Sequence, residues 1–321
     1  MSKKSILLLA ATLILLGAIL FGGAMTMLKW DFKRLSTVCY ETNTYTVSEP
    51  FLDVAVEGAT ARIVLVPSEN GEVTVTCYER TKAKHAVSVT DGVLTVGIED
   101  ERKWYERIGI DLDHACITLA LPAREYGALT LKVKTGDITV PRDFSFADAS
   151  LQTSTGDVEI SASVAGMLSV KTSTGSVKLN GLSTGGLSLS SSTGSISLSS
   201  VRVSGDVSIT SSTGKTSLAD LTCRNLTVEG RTGELTLDRT LADGEMTLTQ
   251  NTGSIHLSLC DADRLTVKTS TGSVIGTLLT GKQFDAKSNT GKVSVPASEG
   301  SGACYIRTNT GRIRIELATE E

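Results

Sequence analysis

A Thr-Gly pair recurs every 19 or 20 residues from Thr135-Gly136 to Thr310-Gly311. Between these lie Thr155-Gly156, Thr174-Gly175, Thr193-Gly194, Thr213-Gly214, Thr232-Gly233, Thr252-Gly253, Thr271-Gly272 and Thr290-Gly291. A fixed period of this length marks a chain built from stacked supersecondary units, and it removes most globular architectures from consideration.

Aligning the copies on the glycine exposes apolar rows. Seven residues before it stand Leu129, Ala149, Leu168, Leu187, Val207, Leu226, Met246, Leu265, Phe284 and Cys304. Five before it runs a second row, including Leu131, Val170, Leu189, Ile209 and Ile306. Two and four after it stand pairs such as Ile138 and Val140, Val177 and Leu179, and Ile196 and Leu198. A looser row, Val164, Leu182, Val201, Leu221 and Leu241, follows seven or eight after. Apolar residues two apart with polar ones between them describe a strand with one buried face. The phase slips at the Thr-Gly, where glycine permits a sharp bend or a positive φ. Each repeat therefore reads as two short strands and a corner, with a second corner near Ser199-Ser200 or Asp220.

One repeat cannot fold alone. About five buried aliphatics contribute at most ~7–15 kcal/mol, whereas ordering about twenty residues costs ~20–40 kcal/mol of backbone entropy. Stacking resolves the deficit, because each coil's amides pair with the coils on either side. The pattern predicts an all-β chain: a right-handed parallel β-solenoid of about ten coils of 19–20 residues, a rod of roughly 45–50 Å. A narrow aliphatic interior fits an aromatic content of only 4%.

The solenoid's ends are also legible. Leu52–Val56, Arg62–Val66, Val73–Cys77, Val93–Val96 and Ile117–Leu121 are candidate strands outside the Thr-Gly register, with Asn70-Gly71 and Asp91-Gly92 as turns. They predict an N-terminal β cap and first irregular coils over 29–127, ahead of the repeat at 128–321. Residues 99–115 break the pattern and read as a loop or short helix. The last strand, Arg312–Glu316, has apolar inward and charged outward residues, which reads as an end protected from edge-to-edge stacking.

Residues 6–28 carry no charge. They make roughly 35 Å of helix against a hydrocarbon core of about 30 Å. With residues 1–4 as a short cytoplasmic head, 5–28 read as a single-pass anchor in contact with membrane lipid through residues 6–28. Trp30 stands where an interfacial aromatic belongs. A cleaved signal peptide is the alternative, with Gly22 and Ala24 small enough for cleavage, although the apolar run continues to Leu28. Lys3 and Lys4 balance Lys29, Lys33 and Arg34, so charge does not orient the segment. Its likeness to an export signal places the C-terminal domain outside the cell membrane.

The pre-repeat strands, the Ile117–Pro122 segment and the iterated Leu-x-Val-x-Thr-x-Thr-Gly-x-Ile pattern resemble a bacterial family of β-strand repeat proteins described as adhesins, a domain of unknown function. The resemblance covers about residues 45–317. It implies a β-solenoid, often behind one membrane helix, in the cell envelope. It implies no agreed catalytic residues, and some similar proteins accompany envelope-stress or regulatory systems.

A net charge of −4 excludes a surface built to wrap nucleic acid. Of six cysteines, Cys223, Cys260 and Cys304 fall at core or corner positions and are expected to be reduced. Cys39, Cys77 and Cys116 could include one bridge. No CxxC or Cys/His pattern points to a metal, and no cofactor is expected. Asp137 and Asp157 follow the corner glycine, with Glu159 nearby, and would stack on neighbouring coils. That ladder spacing approaches the carboxyl separation of retaining glycosidases, about 5–5.5 Å; turn chemistry is the plainer reading. The threonine ladder, with Thr153-Ser-Thr155 and Thr172-Ser-Thr174, is similar to the flat arrays of ice-binding solenoids; against this, the hydroxyls could serve backbone groups at the corner. The function expected is a non-enzymatic, membrane-anchored binding or sensing module whose partner is an envelope protein or glycan. An accessory of a regulatory system and a glycan-acting enzyme are the alternatives.

Overall fold

In the computed structural model the described residues are 3–27, 29–31, 38–100, 102–103 and 113–318. Most of the segment expected as a loop or short helix lies outside them. Lys3–Met27 forms one helix, long and apolar enough to cross a membrane.

The strands form a solenoid wound as the period requires. Leu168, Leu187, Val207 and Leu226 are register partners in consecutive coils, and each is 0–2% exposed. Every corner glycine from Gly136 to Gly311 has a φ between 139° and 155°. Side chains rarely adopt that conformation, which is why the position is invariant along the chain. The N–H of Gly194 bonds the Thr213 carbonyl at 2.9 Å, and the same bond repeats up the stack. The second corner is real too. Ser200, Asp220, Arg239 and Leu259 all take a left-handed φ of 44–55° there, as Gly181 does at 64°.

Both ends depart from simple winding. At the N-terminal end, Asp53–Thr60 and Arg62–Pro67 form a coil that stacks directly on Glu125–Thr135 and Ile138–Val140, with Ala61 standing in the glycine column. On its other side lies the coil made by Val93–Asp100 and Cys116–Leu121, which comes later in the chain. Three antiparallel strands then close the end. Ala83–Thr90 covers Val93–Asp100, Val73–Arg80 covers Cys116–Leu121, and Tyr40–Val47 pairs outside Val73–Arg80. Tyr40–Val47 and Ala83–Thr90 are not among the strands read from the sequence: the first has polar residues from Glu41 to Thr44, and the second breaks its alternation at Ala86-Val87.

The C-terminal end corrects an expectation. Arg312–Glu316 was expected to finish the stack, but Ile313–Leu317 lies between Val274–Leu278 and Val293–Ser294. Its partner Gly302–Thr310 likewise lies between Ile255–Thr271 and Lys282–Thr290. The final coil in space is thus 282–294, not the final coil in sequence. The inner coil brings Cys304, Ile306, Ile313 and Ile315 to the shaft, against Phe284, Ala286, Val293 and Val295 in the coil that ends the stack. The better apolar set takes the inner place.

Candidate functional site

The Thr-Gly corner is structural in its chemistry. The threonines that precede each glycine, Thr135 to Thr310, all face solvent. The hydroxyls that serve backbone groups sit two residues earlier and point inward. Thr153, Thr172, Thr269 and Thr308 donate to the glycine carbonyls of neighbouring coils at 3.0–3.5 Å, and Gln250 does the same for Gly233 at 2.8 Å. Because Thr153 is 1% and Thr172 2% exposed, the flat outward Thr-x-Thr array of the ice-binding reading is not formed.

The acidic residues lie at this same corner. Asp137 Oδ1 accepts the backbone N–H of Asp157 at 2.9 Å, and Asp157 Oδ1 accepts that of Ser176 at 2.7 Å. Glu159 faces out from a three-residue strand whose neighbours present Thr139 and Lys178. Asp137 and Asp157 thus tie one coil to the next.

A concave surface occurs instead at the opposite corner, where the long strand of each coil begins. Its rim is a ladder: Glu125, Ser145, Ser163, Ser183, Arg202 and Thr222 belong to successive coils. Beneath them Phe146, Val164, Thr184 and Val203, each 0–5% exposed, form the floor. The groove has a volume of about 490 Å³. Its N-terminal end is stiffened by Tyr126, Phe144 and Phe146 in mutual ring contact, with the Arg124 guanidinium 4.7 Å from the centre of the Tyr126 ring. Beyond its other end Arg224 binds Asp206 through two hydrogen bonds of 2.9 Å, which hold the Asp206 carboxyl below the usual carboxylate range. Along the same corner a second hollow of about 670 Å³ carries Asp243, Asp261 and Asp263, and the nearly buried Lys282 ammonium pairs with Asp261 at 2.6 Å. Sequence reasoning missed both hollows. Their residues fall seven to eleven after the glycine, where the period is loosest and the rim is mostly Ser, Thr and Gly.

The cysteines are all free. Burial pushes the thiols of Cys223 and Cys304 up to about 12 and that of Cys260 up to about 11, from an ordinary 9.0. These folded-state values lie above the unfolded one, so the native state holds its thiol protons more tightly. Stability from this source is complete below pH 9 and is lost as pH rises toward 11 and 12. Each thiol contributes about 1.4 kcal/mol per pH unit, so the three together contribute about 4 kcal/mol per unit across the steep part. Denaturant midpoints are expected to hold level to pH 8 and fall steeply above 9; the Cys223→Ala, Cys260→Ala, Cys304→Ala triple variant, less stable at neutral pH, should show a clearly shallower fall. Equal slopes in the two proteins would contradict this.

A repeated glycine corner and a continuous aliphatic column define a parallel β-solenoid built from repeats. The chain belongs to the Toastrack DUF4097 family, whose model matches residues 52–213 and again 188–321. No curated protein matches it significantly. Among solved structures it is similar to a "putative adhesin" from Bacteroides fragilis, at 15% identity and a TM-score of 0.41, covering 86% of this chain and 97% of that one. It is also similar to a "putative lipid binding protein" from Parabacteroides distasonis, at 16% identity and a TM-score of 0.46, covering 74% and 94%. A third, a "putative adhesin" from Parabacteroides merdae, shares 10% identity with a TM-score of 0.38 over 87% and 96%.

Proposed function

We propose that this protein is a non-enzymatic binding module of the cell envelope. Residues 6–28 anchor it to the cell membrane, the solenoid projects outward, and a linear glycan strand lies along the groove. The observation that carries the reading is the ladder from Glu125 to Thr222. Its rungs are strand-spaced, about 4.8 Å apart, a step close to one pyranose ring. Its rim hydroxyls, on Ser145, Ser163, Ser183 and Thr222, suit sugar hydroxyls, and Glu125 and Arg202 add a charged group of each sign. Asp137, Asp157 and Glu159 lie outside the groove lining and play no part in binding.

The test is binding of fluorescent linear envelope glycans to the full chain in detergent. Ser163→Trp and Ser183→Trp fill the groove from its rim and are expected to weaken binding about tenfold, or ~1.4 kcal/mol. The Asp137→Asn, Asp157→Asn, Glu159→Gln triple variant is expected to bind as before, with no glycan hydrolysed by either protein. Undiminished binding in the tryptophan variants would remove the groove from the proposal. Hydrolysis abolished by the triple variant would replace the binding module with an enzyme.

A further inference from the structure

The closed N-terminal end of the solenoid holds a set of side chains unlike the aliphatic column it terminates. Cys77 and Glu79 are two apart in the strand Val73–Arg80, so both point inward. His85 comes from the next strand, which turns back through the Arg80–Ala83 pair and forms part of the other wall. Cys77 and Glu79 are 0% exposed and His85 is 3% exposed. One ligating atom from each lies within 4.8 Å of the other two.

The wiring around them is directional. Glu79 Oε2 accepts the His85 backbone N–H at 2.5 Å and pairs with ring Nδ1 at 2.6 Å. Its other oxygen accepts from the Asn43 amide at 2.7 Å. The Tyr45 hydroxyl donates to the His85 carbonyl at 3.1 Å, so the Tyr40–Val47 strand clamps the cluster from outside. The remaining ring nitrogen, Nε2, is buried and has no partner among the described residues. Burying a carboxylate, a thiol and an imidazole together is costly unless something binds all three.

We propose that Cys77, Glu79 and His85 form a zinc site that locks the closed end of the solenoid. The donor set is the argument for the metal. Thiolate, imidazole and carboxylate are together the ligands zinc takes, whereas calcium and magnesium select oxygen alone. Tetrahedral zinc needs its donors about 3.3–3.7 Å apart, from bond lengths of about 2.0–2.3 Å. To reach this, the Glu79–Nδ1 contact of 2.6 Å opens by less than about 1 Å, and the sulfur, within 4.8 Å of both, closes by at most about 1.5 Å. On binding, the Cys77 thiol releases its proton, and the ring proton shared with Glu79 leaves Nδ1 for Nε2. His85 also lines a cavity of about 40 Å³, and a single water needs about 10–15 Å³, so there is room for a water to accept a hydrogen bond from the Nε2–H. Asn43 then plays the outer role usual at such sites, orienting the ligating carboxylate.

The experiment uses the full chain in detergent, stripped with chelating resin, incubated with zinc chloride and desalted. Zinc by atomic emission is expected at about one per chain. Cobalt(II) in its place is expected to give the near-ultraviolet band of a thiolate bound to cobalt. Cys77→Ser should abolish that band, and His85→Gln should lower zinc affinity at least tenfold, while Cys39→Ser and Cys116→Ser change neither. Chelation is expected to lower the melting temperature of the wild type only. Should a ligand variant fail to fold, the cobalt band of the wild type and its indifference to Cys39 and Cys116 still decide the matter. A folded wild type that keeps no stoichiometric zinc, or a cobalt spectrum without the thiolate band, overturns the site and leaves Glu79–His85 as a hydrogen-bonded staple.

Discussion

Replacing Gly194 with alanine is expected to cost more than about 4 kcal/mol, a large share of the stability of an ordinary domain. The residue sits at φ 139°, where a side chain is strained in any surroundings. Its surroundings are also closed. A β-carbon built there falls against the carbonyl oxygen of Gly175 in the preceding coil, which is backbone and cannot turn aside. Relief would mean separating these two coils and losing the hydrogen bond from the Gly175 N–H to the Thr193 carbonyl at 2.9 Å. The damage is local in origin, but neighbouring coils share every ladder bond, so it spreads along the stack. Ala61 supplies the control. It occupies the same column at the first coil yet is not among the residues of positive φ, so Ala61→Gly is expected to change stability by less than about 1 kcal/mol. Chemical denaturation of the two variants checks both statements. A Gly194→Ala protein that keeps its melting point would remove the corner from its central place in the fold.

The columns were legible in the sequence because a period-two pattern repeated every 19 or 20 residues leaves little freedom: Leu168, Leu187, Val207 and Leu226 can all be buried only by stacking. The order of the coils was not legible at either end. Register specifies which residues of two coils meet, but not which two coils meet. Phe284 could pair with Leu265 in the same register that Cys304 uses. The choice between them depends on how well each set fills the shaft, which no pattern of polar and apolar residues encodes. Backbone partners for the corner hydroxyls were foreseen as the plainer reading, but not that the row including Thr153, Thr172, Gln250 and Thr308, two residues before the ladder threonines, supplies them. Hydroxyls and amides read as surface, although here they satisfy glycine carbonyls inside the corner. The groove was not legible because its rim falls where the period is loosest and the residues are small and polar, and the Cys77–Glu79–His85 cluster because it is assembled across two strands by a spacing that follows no motif.

Ending the chain after Ser301 is expected to be as damaging as ending it after Gly281, although the first leaves twenty more residues in place. The reason is the exchanged order at this end. Lys282–Thr290 pairs with Gly302–Thr310, and Val293–Ser294 pairs with Ile313–Leu317, so removing the final segment takes away the partner of both. It also withdraws Cys304, Ile306, Ile313 and Ile315, each 0–2% exposed, from the shaft. At ~1.5–3 kcal/mol for each buried side chain, the loss is about 6–12 kcal/mol, comparable with the whole stability of an ordinary domain. Residues 282–301 cannot recover it by moving up one place. Phe284, Ala286, Val293 and Val295 would have to fill a space shaped by the removed set, and Leu279–Gly281 would have to change its path. Both truncated chains are therefore expected to melt on the order of 20 °C below the full protein. In the longer one, residues 282–301 should be cut by protease far faster than the coils that precede them. If that segment stays resistant and the melting point holds, the coil can seat itself in sequence order, and the exchanged arrangement would owe nothing to the fit of the core.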